Sequence, residues 1–145
     1  MHTRGRPEEW RNMPASPDIV AEVKTDLREW SEAAIKAGIA TNRIMLDAGF
    51  GFGKNFEQNY PLLAGLDRLH ELGFPLLSGV SRKSFIGRAL ARQGKDAPMD
   101  QRLYGSLAAI TASVLHGAHM VRVHEVKPAV DAVRVADELL KHPER

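Results

Sequence analysis

The chain has 145 residues, 43% of them hydrophobic, which is enough for one globular domain with its own core and too apolar for a disordered segment. Its formal net charge is only +2 and the basic residues are scattered, so charge patterning gives neither a nucleic-acid nor a membrane-surface footprint. There is no cysteine, which excludes a disulfide framework, a thiolate nucleophile and a cysteine metal site; no apolar run reaches membrane-spanning length and the amino terminus lacks the apolar stretch of a secretion signal, so a cytoplasmic protein is expected.

In chain order, residues 1–15 carry Gly5, Pro7 and Pro14 among several charges and are expected to form an irregular arm. Ser16-Pro17-Asp18 reads as a helix start, with Ser16 as N-cap, Pro17 in the first helical position and Asp18 at the positive end of the dipole. Val20, Val23, Leu27, Trp30 and Ala34 then recur at three- and four-residue steps as far as Gly38, which predicts an amphipathic helix. Arg43 to Asp47 is an apolar run of strand length ending in a carboxylate. The loop after it, Gly49-Phe50-Gly51-Phe52-Gly53-Lys54, alternates glycine with phenylalanine. Such glycines let a backbone approach a ligand closely, Phe50 and Phe52 can offer flat apolar faces, and Lys54 a cation. The spacing matches neither a Walker A loop nor a G-x-G-x-x-G fingerprint, and a plain turn between strand and helix is the simpler alternative.

Leu62, Leu66, Leu69 and Leu72 mark a second helix ending at Gly73, and Pro75 to Val80 a second buried strand. Ser81-Arg82-Lys83-Ser84 opens a short helix through Phe85, Ile86, Ala89 and Leu90, and residues 91–99 read as a surface loop. Leu103, Leu107, Ile110 and Val114 keep helical spacing up to Gly117, with Gly105 and Ser106 permitting close packing on a sheet. His119 to His124 is a third strand. Lys127-Pro128 opens a last helix whose inner stripe is expected to be Val130, Val133, Ala136 or Asp137, and Leu140, before a frayed tail at 142–145.

Apolar strands alternating with helices predict an α/β fold with a parallel sheet and right-handed crossovers. The strands of such a sheet point one way, so the residues that follow them gather on one rim, where ligands bind. Asp47 with the glycine loop, Ser81 to Ser84, and Arg122 with His124 are therefore expected to face one another. Each has a plainer reading: Asp47 can cap the next turn, and Ser81 to Ser84 can be a helix cap with two solvated cations. Arg122 and His124 alternate along an apolar strand and face the same side, where a guanidinium calls for an anionic partner. His2, His70, His116, His119 and His142 look ordinary by comparison. His116 and His119 straddle Gly117 and make no helical metal pair, so no protein-ligated metal is expected. Together the groups suit a flat heterocycle plus an anion. Asp47 and Lys83 can bond a polar ring edge with Phe52 alongside, Arg122 and His124 can hold phosphate oxygens, and Ser84 a carboxylate.

Leu46-Asp47-x-Gly49-Phe50-Gly51-Phe52-Gly53-Lys54-Asn55, Ser81-Arg82-Lys83-Ser84-x-Ile86-Gly87, Gly105-Ser106 and Val121-Arg122-Val123-His124-Glu125-Val126 resemble, in order and spacing, the dihydropteroate synthase family. Met1-His2-x-x-Gly5-x-Pro7 resembles that family's segment after its fifth barrel strand, and Ala48 stands where the family usually has proline. The resemblance implies a half TIM barrel, with the last three strand-helix units and the preceding helix forming one truncated pterin-binding domain over residues 1–145. It also implies a transferase of folate biosynthesis that joins 6-hydroxymethyl-7,8-dihydropterin pyrophosphate to 4-aminobenzoate, giving 7,8-dihydropteroate and pyrophosphate, with substrate-bound Mg²⁺ and competition by sulfonamides. Carried onto matching positions, it implies pterin contacts at Asp47, Phe52, Gly79 and Lys83, aminobenzoate contacts at Ser84 and Phe52, and pyrophosphate contacts at Arg122 and His124, with Lys83, Arg122 and His124 as the catalytic groups. The alternative is a non-catalytic pterin- or anion-binding module or an interaction subunit. Three parallel strands cannot close a barrel, so a homo-oligomer is expected to cover their edges, by paired sheets or swapped elements.

Overall fold

The first helix starts later than Ser16 and Pro17 predict. In the computed structural model, which describes residues 1–142, α1 (Ile19–Lys36) is capped by Asp18, whose Oδ1 accepts from the N–H groups of Val20 at 3.1 Å and Ala21 at 3.0 Å. The carboxylate satisfies two of the free amides of the first turn and sets a negative charge against the dipole, which a serine hydroxyl at position 16 cannot do. At the other end Gly38 adopts φ +93°, and the N–H groups of Gly38 and Ile39 return to the carbonyls of Ile35 and Ala34 at 2.9 and 3.1 Å. This double closure is the reason a glycine ends the helix there.

Three parallel strands follow in spatial order β1 (Leu46–Asp47), β2 (Leu76–Ser78) and β3 (Met120–Val121), with Leu46 opposite Leu76 and Leu77 opposite Met120. All three are shorter than the apolar runs suggest. Thr41–Arg43 winds into a 3₁₀ turn instead of entering the sheet, so the ladder at β1 begins only at Leu46. The predicted second helix is two elements: α2 (Phe56–Ala64), capped reciprocally by Asn55 and Gln58, and a 3₁₀ segment, Leu66–Leu72. After β2 come α3 (Ser84–Ala89) and α4 (Leu103–Leu115), and after β3 comes α5 (Val126–Lys141).

α4 is the central helix, touching α2, α3, α5 and β3. Gly105 lets it approach α3 and not, as expected, the sheet: a Cβ there would lie 2.6 Å from Ile86 Cγ2. Val23, Leu27, Leu46, Leu62, Leu76 and Ile110 form the centre of one core shared by α1, α2, α4 and the sheet. The expected inner stripe of α5 is corrected in part. Ala136, one of its expected positions, is buried together with Ala129, and Val133 packs against the core, while Val130 and Leu140 are 43% and 50% exposed. Small side chains bring α5 close against α4 and turn the larger ones to its flanks. One flank meets β3 in an apolar groove of about 380 Å³ lined by Val121, Val123, Val126, Val130 and Val133. Among the described residues no helix is long and apolar enough to cross a membrane. The predicted frayed tail at 142–145 lies, apart from His142, outside the described residues.

Candidate functional site

Asp47 ends β1 and turns the chain at once: its Oδ1 accepts from the Gly49 N–H at 2.7 Å, the turn-capping role. Of the glycines beyond it, two do not leave room for a ligand. Gly49 and Gly53 have φ +67° and +69°, and a Cβ on either would lie 1.8 Å from the His2 carbonyl oxygen or 2.3 Å from that of Arg4. The His2 N–H donates to the Asp47 carbonyl at 2.8 Å and the Arg4 N–H to that of Phe52 at 3.3 Å. The close backbone approach that the glycines permit is thus made by the chain's own arm. Residues 1–15 contain only a 3₁₀ turn, Trp10–Asn12, and are irregular as expected, yet His2 and Arg4 are buried. The Arg4 Nε donates to Glu22 on α1 at 2.5 Å and its Nη1 to the Pro14 carbonyl at 2.8 Å. Only Gly51 faces the candidate site, with its would-be Cβ 3.5 Å from Lys83 Cδ.

Lys54 and Phe50 are corrected as ligand groups. Lys54 is 6% exposed, and its Nζ donates to the Gly49 and Phe52 carbonyls at 2.9 and 3.2 Å and to His2 Nδ1 at 2.8 Å. Burial, helped by the charge of Arg4, pushes its ammonium down to about 7. Phe50 is buried against Phe85 at 6.3 Å between ring centroids. His2, read as ordinary, is fully buried: its Nε2 lies 3.0 Å from Asp26 Oδ2 and its ring stacks on Trp30 at 5.4 Å. Burial first and the Lys54 charge second push it down to about 4, so the imidazole is neutral at pH 7. A carboxylate only accepts and an ammonium only donates, which assigns the proton to Nε2 and the lone pair facing Lys54 to Nδ1.

Phe52 keeps its expected place at the rim. The Lys83 ammonium stands 4.1 Å from its ring centre, and Trp10 packs edge-on at 5.4 Å and 87°. Trp10 lies in the polar arm, where nothing in its spacing marks it. Burial lowers the pKa of Lys83, the nearby Asp47 carboxylate works against that, and Arg122 adds to it. Lys83 thus lies over the glycine loop that follows β1 and feels the charges at the ends of β1 and β3.

The segment between Lys83 and the sheet is cross-tied to the end of β3. Ser81, read as part of a helix cap, instead places its Oγ 3.0 Å from His124 Nδ1. Arg82, read as a solvated cation, forms an ion pair with Glu125, and its hydrogen bond holds that carboxyl below the usual range. The Arg82 backbone sits at φ +58°, with its N–H donating to Ser106 Oγ at 2.9 Å and its carbonyl accepting from Arg102 Nη1 at 2.9 Å. A strained conformation held from both sides by α4 and the segment before it is a supported one. Ser84 is the exposed first residue of α3 and lines a hollow of about 220 Å³ with Asn55, Phe56, Asn59 and Arg88. Gly79 borders open space, since a Cβ there meets nothing within 4 Å. Arg122 and His124 are both exposed, and Arg122 has no ion pair among the described residues.

The result is the Lys83 ammonium beside the Phe52 ring, under the influence of the Asp47 carboxylate and the Arg122 cation. It offers a hydrogen-bonding edge next to a place for an anion. Among the described residues no group of three or more His, Asp or Glu is placed to hold a metal ion.

The chain is similar in sequence and in fold to known proteins. Dihydropteroate synthase of Escherichia coli strain K12 is 42% identical over 144 residues, covering 99% of this chain and 49% of the enzyme. That of Neisseria meningitidis serogroup B is 46% identical over 142 residues, covering 96% and 48%. Among solved structures, Yersinia pestis dihydropteroate synthase with a sulfonamide drug superposes with a TM-score of 0.90 at 37% identity, over 98% of this chain and 50% of that one. The Xanthomonas albilineans enzyme in complex with 7,8-dihydropteroate gives 0.83 at 44% identity, over 90% and 48%. The chain spans about half the length of the curated relatives it matches. The family described as pterin binding enzyme matches residues 1–124, a span that takes in all three strand-end clusters, and this chain belongs to it.

Proposed function

We propose that the rim binds a dihydropterin pyrophosphate and 4-aminobenzoate, and that the chain works as a dihydropteroate synthase-like transferase. The observation that carries this is Lys83, whose ammonium lies over Phe52 at 4.1 Å while sensing both Asp47 and Arg122. A pterin edge presents ring N–H donors and acceptors side by side, and Asp47 and Lys83 offer it one partner of each kind. Gly79 leaves space next to them, and Phe52 supplies an apolar surface for the second ring. Arg122, unpaired among the described residues, and His124 take the pyrophosphate oxygens. Ser81 engages His124 through Nδ1, which leaves Nε2 free to face an anion. The exposed Ser84 hydroxyl takes the aminobenzoate carboxylate.

In the reaction the C–O bond between the pterin methylene and pyrophosphate breaks, and its electron pair leaves on pyrophosphate. The arylamine nitrogen forms the new C–N bond and sheds a proton. Stabilising the departing anion falls to Arg122 and His124, and alignment to Asp47, Phe52, Lys83 and Ser84. No protein nucleophile is required. Mg²⁺ arrives with the pyrophosphate on this reading, and no step is assigned to it.

We read residues 1–145 as one domain and a partial barrel of a cytoplasmic protein. The open edges of β1 and β3, with the apolar groove beside α5, are covered on this reading by self-association into a homo-oligomer, through paired sheets or swapped elements. A monomer mass that does not change with concentration overturns that assignment. Activity is tested by coupled pyrophosphate release with both substrates and Mg²⁺, comparing the chain with Lys83→Ala and Arg122→Ala. Release that both substitutions abolish is the expected result. Absence of release in every preparation refutes the enzyme and leaves a pterin- or anion-binding module, which titration calorimetry with the pterin pyrophosphate then detects.

A further inference from the structure

Behind the rim runs a polar chain, buried at His2 and Lys54 and open to solvent at Asp26, that no step of this chemistry uses. It joins Asp26 on α1, His2 in the arm and Lys54 at the end of the glycine loop. All three Lys54 protons are committed: one to His2 Nδ1, one to the Gly49 carbonyl and one to the Phe52 carbonyl. Those two carbonyls bracket a tight turn, closed on itself by the Phe52 N–H donating to the Gly49 oxygen at 3.1 Å. Two groups of the rim hang from its ends. The Asp47 carboxylate is bonded to the Gly49 N–H, and the Phe52 ring carries the Lys83 ammonium on its face.

We propose that Lys54 is a positioning residue: backed by His2 and Asp26, it fixes the Gly49–Phe52 turn and thereby aims Asp47 and Phe52 at the ligand, without touching the ligand itself. A buried ammonium is an expensive way to fill space, and a leucine or methionine of similar size would pack without desolvating a charge. What the ammonium alone can do is hold three acceptors from three directions at once. Two of those acceptors belong to the turn, and the third ties it through a neutral imidazole to α1. The charges that act on it are those of Arg4 in the arm and Glu22 on α1, and of Asp47 and Lys83 at the rim.

The effect on ligand binding rests on the pterin reading, whereas the effect on the turn does not, and the experiment separates the two. Lys54→Met and the wild-type chain are compared by amide hydrogen exchange, and by calorimetry with 6-hydroxymethyl-7,8-dihydropterin pyrophosphate and with inorganic pyrophosphate. Expected in the variant are at least tenfold faster exchange at Gly49, Gly51 and Phe52 and less than twofold change at Ile110 and Val114 in α4. Affinity for the pterin pyrophosphate falls about tenfold while that for inorganic pyrophosphate, held by Arg122 and His124, stays within twofold. A merely structural lysine would weaken both ligands together or neither. His2→Phe keeps the stack on Trp30 but removes the acceptor, and is expected to move the same readouts in the same direction by about threefold; it carries the comparison should Lys54→Met fail to fold. Unchanged exchange at Gly49 to Phe52 overturns the proposal, as does an equal loss for both ligands. Faster exchange in a protein whose wild type shows no preference for the pterin ligand upholds the turn-fixing role and refutes the pterin reading instead.

Discussion

Acidification removes stability from this protein through His2 as well as through its carboxylates. An ordinary histidine titrates at 6.5, and His2 inside the fold does so at about 4, because burial and the adjacent Lys54 ammonium oppose its charge more than Asp26 favours it. Between those two values the unfolded chain binds a proton that the folded chain refuses, so stability falls as pH drops through the window and is untouched by His2 above it. At about 1.4 kcal/mol per unit, the gap corresponds to about 3 kcal/mol between pH 7 and pH 4. His2→Phe keeps an aromatic ring against Trp30 and cannot be protonated, so it isolates this contribution from that of the carboxylates, which both proteins share. Urea unfolding at pH 7 and pH 4 measures it: the wild type is expected to lose about 3 kcal/mol more than the variant. Equal losses would refute the neutral, buried imidazole and with it the assignment of its proton.

Lys54 is expected to act on the alkaline side with the same sign. Its ammonium drops to about 7 on folding, so from there up to its ordinary value of 10.5 the unfolded chain holds the extra proton and stability rises with pH, by about 1.4 kcal/mol per unit; Lys54→Met is expected to flatten that limb of the unfolding profile. Gly49→Ala places a methyl 1.8 Å from the His2 carbonyl at φ +67°, and is expected to detach the arm and cost more than ~2 kcal/mol, seen as a lower urea midpoint together with faster proteolysis within residues 1–13. Ser81→Ala removes the partner of His124 Nδ1 and is expected to weaken inorganic pyrophosphate binding about fivefold by calorimetry, on the order of 1 kcal/mol, with little change in the thermal midpoint.

Parallel strands and helices were legible because apolar periodicity reports which side of an element is buried, and the sheet order β1-β2-β3 is what alternating strands and helices lead one to expect. The three polar clusters meet for the same reason, since parallel strands end on one side. The inner face of α5 was read correctly at Ala136 and Val133 but misread at Val130 and Leu140, with Ala129 missed, because valine and leucine outweigh alanine in any reading of hydrophobic stripes. A helix that packs close against another buries its alanines, as Ala129 and Ala136 do here, and periodicity has no means of knowing how close the neighbour comes. Asp18 displaced Ser16 as cap for a local reason, two amides satisfied by one oxygen, which no single spacing rule ranks.

The glycine loop marks the boundary of what a pattern can say. Alternating glycines do signal a close approach, but the approaching backbone is forty-odd positions away in the chain, at His2 and Arg4, and a sequence does not distinguish it from a ligand. The same holds for Lys54: a cation beside glycines suits an anion as well as it suits three internal acceptors, and only burial tells them apart. The consequence reaches the half-length site. Asp47 is held by Gly49, Phe52 by Trp10 and the Lys54 turn, His124 by Ser81, and Arg82 by Ser106, Arg102 and Glu125, so every one of these props lies within the chain itself. Arg122 differs: it stands exposed just past the end of β3, an edge strand, with no ion pair among the described residues, so its orientation depends on what binds it. The part of the rim assigned to the pterin is therefore built in advance, while the part assigned to pyrophosphate is completed by the anion. On that division, preorganisation lowers the cost of binding the ring, and ordering Arg122 is charged against binding the anion.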